Sequence, residues 1–225
     1  MERAALFDVD GTLVDTNHLH VVTWWEALRQ AGHTVPMPAI HRAVGLGSGD
    51  LLEHLLGKGR DRDQDARISA AHTSLLGTYF ERLPAFRSAG ELLRTLAGQG
   101  WHIVLATSAS GPELDALRRA IDADDALSDT ASSDDVSEGK PAPEPVRHAL
   151  ELAGVPASRA VFVGDTVWDM EAASRAGVPA VALLCGGIPQ ADLERAGAAH
   201  VYRDPADLLS RLDQSPFGAA AGRMP

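Results

Sequence analysis

Ala4-Ala5-Leu6-Phe7-Asp8-Val9-Asp10-Gly11-Thr12-Leu13-Val14-Asp15-Thr16 begins as an unbroken apolar run and stops at two aspartates and a glycine. Four apolar residues without polar alternation predict a strand buried on both faces, the pattern of a parallel sheet. Further runs of the same kind lie at Ile103–Ala106, Val161–Val163 and Val178–Leu184. Between them lie helical patterns. Pro112–Ile121 opens on a helix-compatible proline, while Glu144–Ala153 and Asp169–Ala176 each stop at a glycine, Gly154 and Gly177. Strand and helix in alternation give an α/β fold, a doubly wound parallel sheet with right-handed crossovers.

Residues 17–83 break this rhythm. Val21, Trp24, Trp25 and Leu28 make one apolar helical face, and Leu51, Leu52, Leu55 and Leu56 another. The expected organisation is an α/β core formed by residues 1–16 and 84–213, an inserted all-helical cap at 17–83, and a loose tail at 214–225 with little core-forming content.

Composition narrows the partners. A net charge of −11 over 225 residues argues against a nucleic-acid backbone or an anionic membrane. Cys185 is the only cysteine, so cysteine metal clusters and intrachain disulfides are excluded. The start is too short and too charged for a signal peptide, and no apolar run approaches the ~20 residues of a membrane span. A soluble cytoplasmic protein is expected.

Ligands of open α/β sheets sit beyond the carboxyl ends of the strands. Asp8 and Asp10 follow the first strand and Thr107-Ser108 the second. Gly164-Asp165, with Asp169 four residues on, follows the Val161 strand, and Gly139-Lys140-Pro141 precedes the Glu144 helix. Taken singly these are ordinary turn and cap residues. Together they bring carboxylates, hydroxyls and a lysine to one edge. Acids so gathered need a cation among them, and hard oxygen ligands without a His or Cys cluster favour Mg²⁺. Such a metal would let a phosphate approach an acidic site, where a carboxylate can act as nucleophile. Lys140 is one of only two lysines against eighteen arginines, which favours a compact point charge there, suited to a transferring phosphoryl group.

The run from Asp8 to Thr16 resembles the first motif of the haloacid dehalogenase-like hydrolases. Thr107-Ser108, Lys140-Pro141 and Gly164-Asp165…Asp169 resemble that family's second, third and fourth motifs, in the same order. The resemblance covers the chain to about residue 212 and implies roles residue by residue. Asp8 would be the nucleophile and a Mg²⁺ ligand. Asp10 would be the acid and then the base, with its backbone carbonyl on the metal. Thr107 and Ser108 would hold the phosphate with Lys140, and Asp165 and Asp169 would complete the metal site. The helical insert matches the subfamily with an α-helical cap, and the implied activity is hydrolysis of a small phosphorylated metabolite.

Three alternatives remain at this level. A 2-haloacid dehalogenase resembles the chain in fold but lacks the counterpart of Asp10. A phospho-accepting receiver shares the Asp, Thr and Lys chemistry but is about half this length. A β-phosphoglucomutase-like enzyme shares the whole core, and His18-Leu19-His20 with Trp24 resembles its first cap helix. The glycine-rich Val44–Asp50 segment instead resembles phosphoglycolate-type phosphatases, with Gly47 in a loop that could close over the leaving group. Arg42 could serve a second phosphate. His20 and Trp24, one helical turn apart, either pack within the cap or face the site.

Overall fold

A computed structural model describes residues 2–132 and 135–218. Six parallel strands form one sheet in the order β3-β2-β1-β4-β5-β6. They are β1 (Arg3–Phe7), β2 (Trp101–Ala106), β3 (Asp129–Ala131), β4 (Ala160–Gly164), β5 (Ala180–Leu183) and β6 (Ala198–Tyr202). The four expected strands are present, with the Val178 run narrowed to Ala180–Leu183. The edge strands β3 and β6 are additions that the apolar-run reading missed. Alternate residues of β1 serve two cores: Ala5 and Phe7 join Ile103, Leu105 and Val163 on one face, Leu6 joins Val104 and Phe162 on the other. Both faces being apolar is what makes the strand sequences continuous.

Register positions the chemistry. Phe7 pairs with Leu105 of β2 and with Val163 of β4, so the three strands end nearly level. Asp8, Thr107 and Asp165, each just past its strand, are thereby delivered to one edge. The helices flanking these strands are α5 (Ala89–Gly98), α6 (Gly111–Ile121), α7 (Glu144–Ala153), α8 (Val167–Ala176), α9 (Gln190–Ala196) and α10 (Pro205–Ser210) once the four preceding them in the chain are counted.

Those four are α1 (Asn17–Gln30), α2 (Met37–Ala43), α3 (Ser48–Leu56) and α4 (Asp65–Gly77). They enclose a third core that includes Val21, Trp24, Leu28, Ile40, Leu51, Leu52 and Ile68. The chain enters and leaves this helical layer side by side. Asp15 N–H donates to the Pro84 carbonyl at 2.9 Å and Phe86 N–H to the Leu13 carbonyl at 2.9 Å.

The expected loose tail is corrected over residues 214–218. Phe217 is buried, its ring centroid 5.0 Å from Trp101 and 6.5 Å from Phe7. An aromatic side chain so placed contributes about 1.5–3 kcal/mol of burial, enough to dock a short segment. Residues 219–225 lie outside the described residues.

Candidate active site

The chain turns sharply after Asp10. Gly11 has φ +73°, and its N–H donates to the Val14 carbonyl at 2.8 Å while Leu13 N–H donates to Val9 at 2.8 Å. A β-carbon at Gly11 would lie 2.3 Å from Asn17 Nδ2 and 2.5 Å from Asp165 Oδ2, so both backbone sign and space require glycine. With the strand ended, Asp8 and Asp10 line one cavity together.

Asp8, Asp165 and Asp169 are buried and bring oxygens within 4.8 Å of one another. Lys140 Nζ lies 2.5 Å from Asp8 Oδ1 and 2.7 Å from Asp169 Oδ1. Asp169 Oδ1 is buried, and the Lys140 ammonium is its close polar neighbour among the described residues. The other oxygen of Asp169, Oδ2, accepts from Thr166 N–H and Oγ1–H in a capping box that starts α8. Asp165 is fixed at both oxygens: Thr12 Oγ1 donates to one and Asn17 Nδ2 to the other, each at 2.8 Å.

Burial pushes the Asp8 carboxyl up to about 7, with Asp169 and Asp10 adding to the rise and Lys140 opposing it. Asp165 is pushed well above the carboxylate range by burial and by Asp169 and Asp8. Lys140 moves upward although burial opposes its charge, because Asp169 and Asp8 outweigh the loss of water. Three desolvated carboxylates facing one ammonium are an electron-rich oxygen set with unsatisfied negative charge. That set of oxygens fits a hard divalent cation.

Gly186 closes the back of the cluster. A β-carbon there would sit 1.7 Å from Asp165 Oδ2 and 2.4 Å from its Cγ. Gly186→Ala is therefore expected to displace Asp165, lowering kcat/KM by about tenfold or more and stability by roughly 1–3 kcal/mol. Steady-state assay and thermal unfolding check this; unchanged values would show that the loop yields freely.

The Asp10 carboxylate belongs to a second group, with His20 and Glu113. His20 Nε2 donates to Asp10 Oδ1 at 3.2 Å, Thr16 Oγ1 donates to the same oxygen at 2.6 Å, and Glu113 Oε1 is 3.8 Å from His20 Nε2. Burial opposes the charge of Asp10, but hydrogen bonds from His20 and Thr16 win and hold it below the usual range. Burial likewise opposes the His20 cation, and Asp10 outweighs it, raising the imidazole. Glu113 is pushed up to about 7 by burial and the Asp10 charge.

Of the two open readings of His20 and Trp24, His20 faces the site. Trp24 lines the same cavity yet also packs, its ring 4.0 Å from His72 at 11°. Thr107 and Lys140 line an adjoining cavity with Gly47, and Ser108 borders both. Thr107 Oγ1 accepts from Ala109 N–H at 3.0 Å, leaving its proton free to donate. Arg42 turns away, 61% exposed and paired with Asp192 at 3.1 Å. Glu113, Asn17 and Thr12 are site residues that the sequence reading did not single out.

Residues 2–177 match the haloacid dehalogenase-like hydrolase family. The chain belongs to that family. Among its relatives, the phosphoglycolate phosphatase of Neisseria gonorrhoeae is 31% identical over 193 residues, covering 82% of this chain and 80% of its own. A hydrolase from Pseudomonas syringae superposes with TM-score 0.90 at 35% identity, over 95% of this chain and 99% of its own. The β-phosphoglucomutase of Clostridium difficile, 16% identical, shares the fold alone with TM-score 0.84 over 99% of this chain and 100% of its own. Within the haloacid dehalogenase-like hydrolases, this chain is an enzyme of the phosphatase kind. No helix among its described residues is long and apolar enough to cross a membrane.

Proposed function

We propose that the protein hydrolyses a small phosphomonoester through a phosphorylated Asp8, with Mg²⁺ held by Asp8, Asp165, Asp169 and the Asp10 carbonyl. The observation that carries this reading is Asp8 itself. Its carboxyl belongs to the acidic cluster with Asp165 and Asp169, contacts Lys140, and lines a cavity that it shares with Asp10.

An Asp8 oxygen attacks phosphorus and the bond to the leaving oxygen breaks. The Asp10 carboxyl gives that oxygen its proton. Asp10, now a carboxylate, takes a proton from water as the water attacks phosphorus, and Asp8 and inorganic phosphate are released. The resting ionised Asp10 suits the second step. A substrate phosphate dianion beside it raises its proton affinity for the first. Thr107 Oγ1–H and the Ser108 amide hold phosphoryl oxygens, and Lys140 neutralises them. A bound Mg²⁺ supplies further positive charge to the transferring group. Helices α1–α4, residues 17–83, serve as the cap over residues 1–16 and 84–213, hinged at the paired crossings near residues 13–16 and 84–86 and excluding bulk water. The single Cys185 accords with a cytoplasmic setting.

Water, not a second sugar, is the acceptor in this reading. The side chain that could bind a second phosphate, Arg42, faces Asp192, and no Lys or Arg lines the cap-side cavity among the described residues. Incubation with β-glucose-1-phosphate and a bisphosphate primer tests it. Efficient glucose-6-phosphate formation with little free phosphate would replace hydrolysis by transfer.

The metal has a readout apart from turnover. Because Asp8 and Asp165 hold protons more tightly folded than unfolded, stability in chelator is expected to fall as pH rises from about 4 towards 7. Saturating Mg²⁺ is expected to raise the thermal midpoint most at the upper end of that range and to restore activity lost to chelator. A midpoint indifferent to Mg²⁺ would count against the site.

A further inference from the structure

The cap-side cavity, where the departing alcohol must sit if the proposed hydrolysis is correct, has an unusual charge balance. No lysine or arginine lines it among the described residues, and two carboxyl groups, Asp10 and Glu113, already face the His20 imidazole at 3.2 and 3.8 Å. His72, also in the wall, is neutral: burial and the nearby His20 hold it down to about 2. Lys140 lies on the phosphate side and is engaged by Asp8 and Asp169. The rest of the wall is mixed, with apolar surface from Trp24, Val44, Leu46 and Leu51 and neutral hydroxyls from Ser48, Thr73 and Ser108.

A carboxylate or second phosphate on the alcohol would therefore enter a cavity lined by Asp10 and Glu113 and by no lysine or arginine among the described residues. It would find no arginine fork and would compete with Asp10 and Glu113 for a single imidazole. A hydroxyl or ammonium would find the opposite: the Glu113 carboxyl in the wall as acceptor, its nearest basic neighbour, His20, standing 3.8 Å away. We propose that Glu113 is a specificity-determining residue, and that the preferred substrate is the phosphate ester of a small alcohol bearing a hydrogen-bond-donating, non-anionic substituent. This rests on the hydrolytic reading above. It sets the chain apart from the activity by which its phosphoglycolate phosphatase relatives are named, since that alcohol carries a carboxylate.

The test measures kcat/KM with Mg²⁺ for glycerol phosphate, 2-aminoethyl phosphate, 2-phosphoglycolate and para-nitrophenyl phosphate. The wild-type enzyme is expected to favour at least one of the first two over 2-phosphoglycolate by about tenfold or more. Glu113→Gln is expected to narrow that preference by about tenfold, chiefly through KM, and Glu113→Asp to preserve its direction. A larger loss on the aminoethyl than on the glycerol ester identifies recognition of the ammonium charge, and a similar loss on both identifies hydrogen-bond acceptance from either donor. Equal or better turnover of 2-phosphoglycolate by wild type, or an unchanged preference in Glu113→Gln, overturns the proposal and leaves hydrolysis standing. Failure to turn over any ester, the aryl ester included, overturns the hydrolytic reading and this proposal with it.

Discussion

Asp8→Asn is expected to lower kcat for a small phosphomonoester by at least about a thousandfold while leaving the protein folded. The carboxamide keeps the shape of Asp8 but cannot form the acyl phosphate bond at a useful rate. It also removes one negative charge from the site. Stability is expected to change little, because Asp8 is a costly buried acid whose carboxyl is already pushed up to about 7. Lys140 keeps Asp169 at 2.7 Å as its second partner. The experiment pairs a phosphate-release assay with thermal unfolding, and adds a labelled-phosphate trap to look for protein-bound phosphate. Residual activity above a few per cent would sink the nucleophile assignment. Lost activity with a collapsed thermal midpoint would make Asp8 structural instead.

The contrast between what the sequence disclosed and what it hid follows from how each residue acts. Asp8, Thr107 and Asp165 were legible because each terminates a continuously apolar strand, and level strand ends convert sequence position into spatial proximity. The central strands were legible for the same reason. The edge strands were not: β3 has only three residues, and β6 exposes His200, so neither carries the doubly buried pattern. Glu113 sits in the first turn of α6, where an acid is favoured by the helix dipole alone, and His20, 93 positions earlier on α1, becomes its neighbour only in the folded chain. Asn17 acts on Asp165 across 148 residues of sequence and Gly186 acts on it from beyond α8 and β5, and neither carries a local signal. Phe217 appeared unpartnered among small residues because its partners, Phe7 and Trp101, lie more than a hundred positions away.

Lys140→Met is expected to have the second-largest effect, and to act on stability and catalysis at once. The substitution keeps the side chain's length beneath Phe162, whose ring centroid lies 5.4 Å from Nζ, but removes the ammonium from a position that is 4% exposed. Asp8, Asp165 and Asp169 are then left without their protein cation. Removing one partner of a buried ion pair costs about 3–5 kcal/mol, which for a chain of this size lowers the thermal midpoint by very roughly 6–20 °C in chelator. The deficit has a defined pH dependence. Lys140 stays charged throughout the neutral range, since its folded affinity for a proton is raised above an already high value. The titrating groups are the acids, which protonate more readily once the ammonium is gone. The variant's deficit is therefore expected to be small near about pH 5 and to grow towards about pH 8. Mg²⁺ should recover much of the lost stability, because a divalent cation answers the same negative charge. It should not recover turnover, which is expected to stay at least about a hundredfold low, because the phosphoryl oxygens lose a donor the metal does not replace. Lys140→Arg is expected to do little better, as a planar guanidinium cannot occupy a pocket shaped for a point charge between two carboxylates. A stability loss independent of pH and Mg²⁺ would assign Lys140 to packing alone, and full turnover at saturating Mg²⁺ would remove it from phosphoryl transfer.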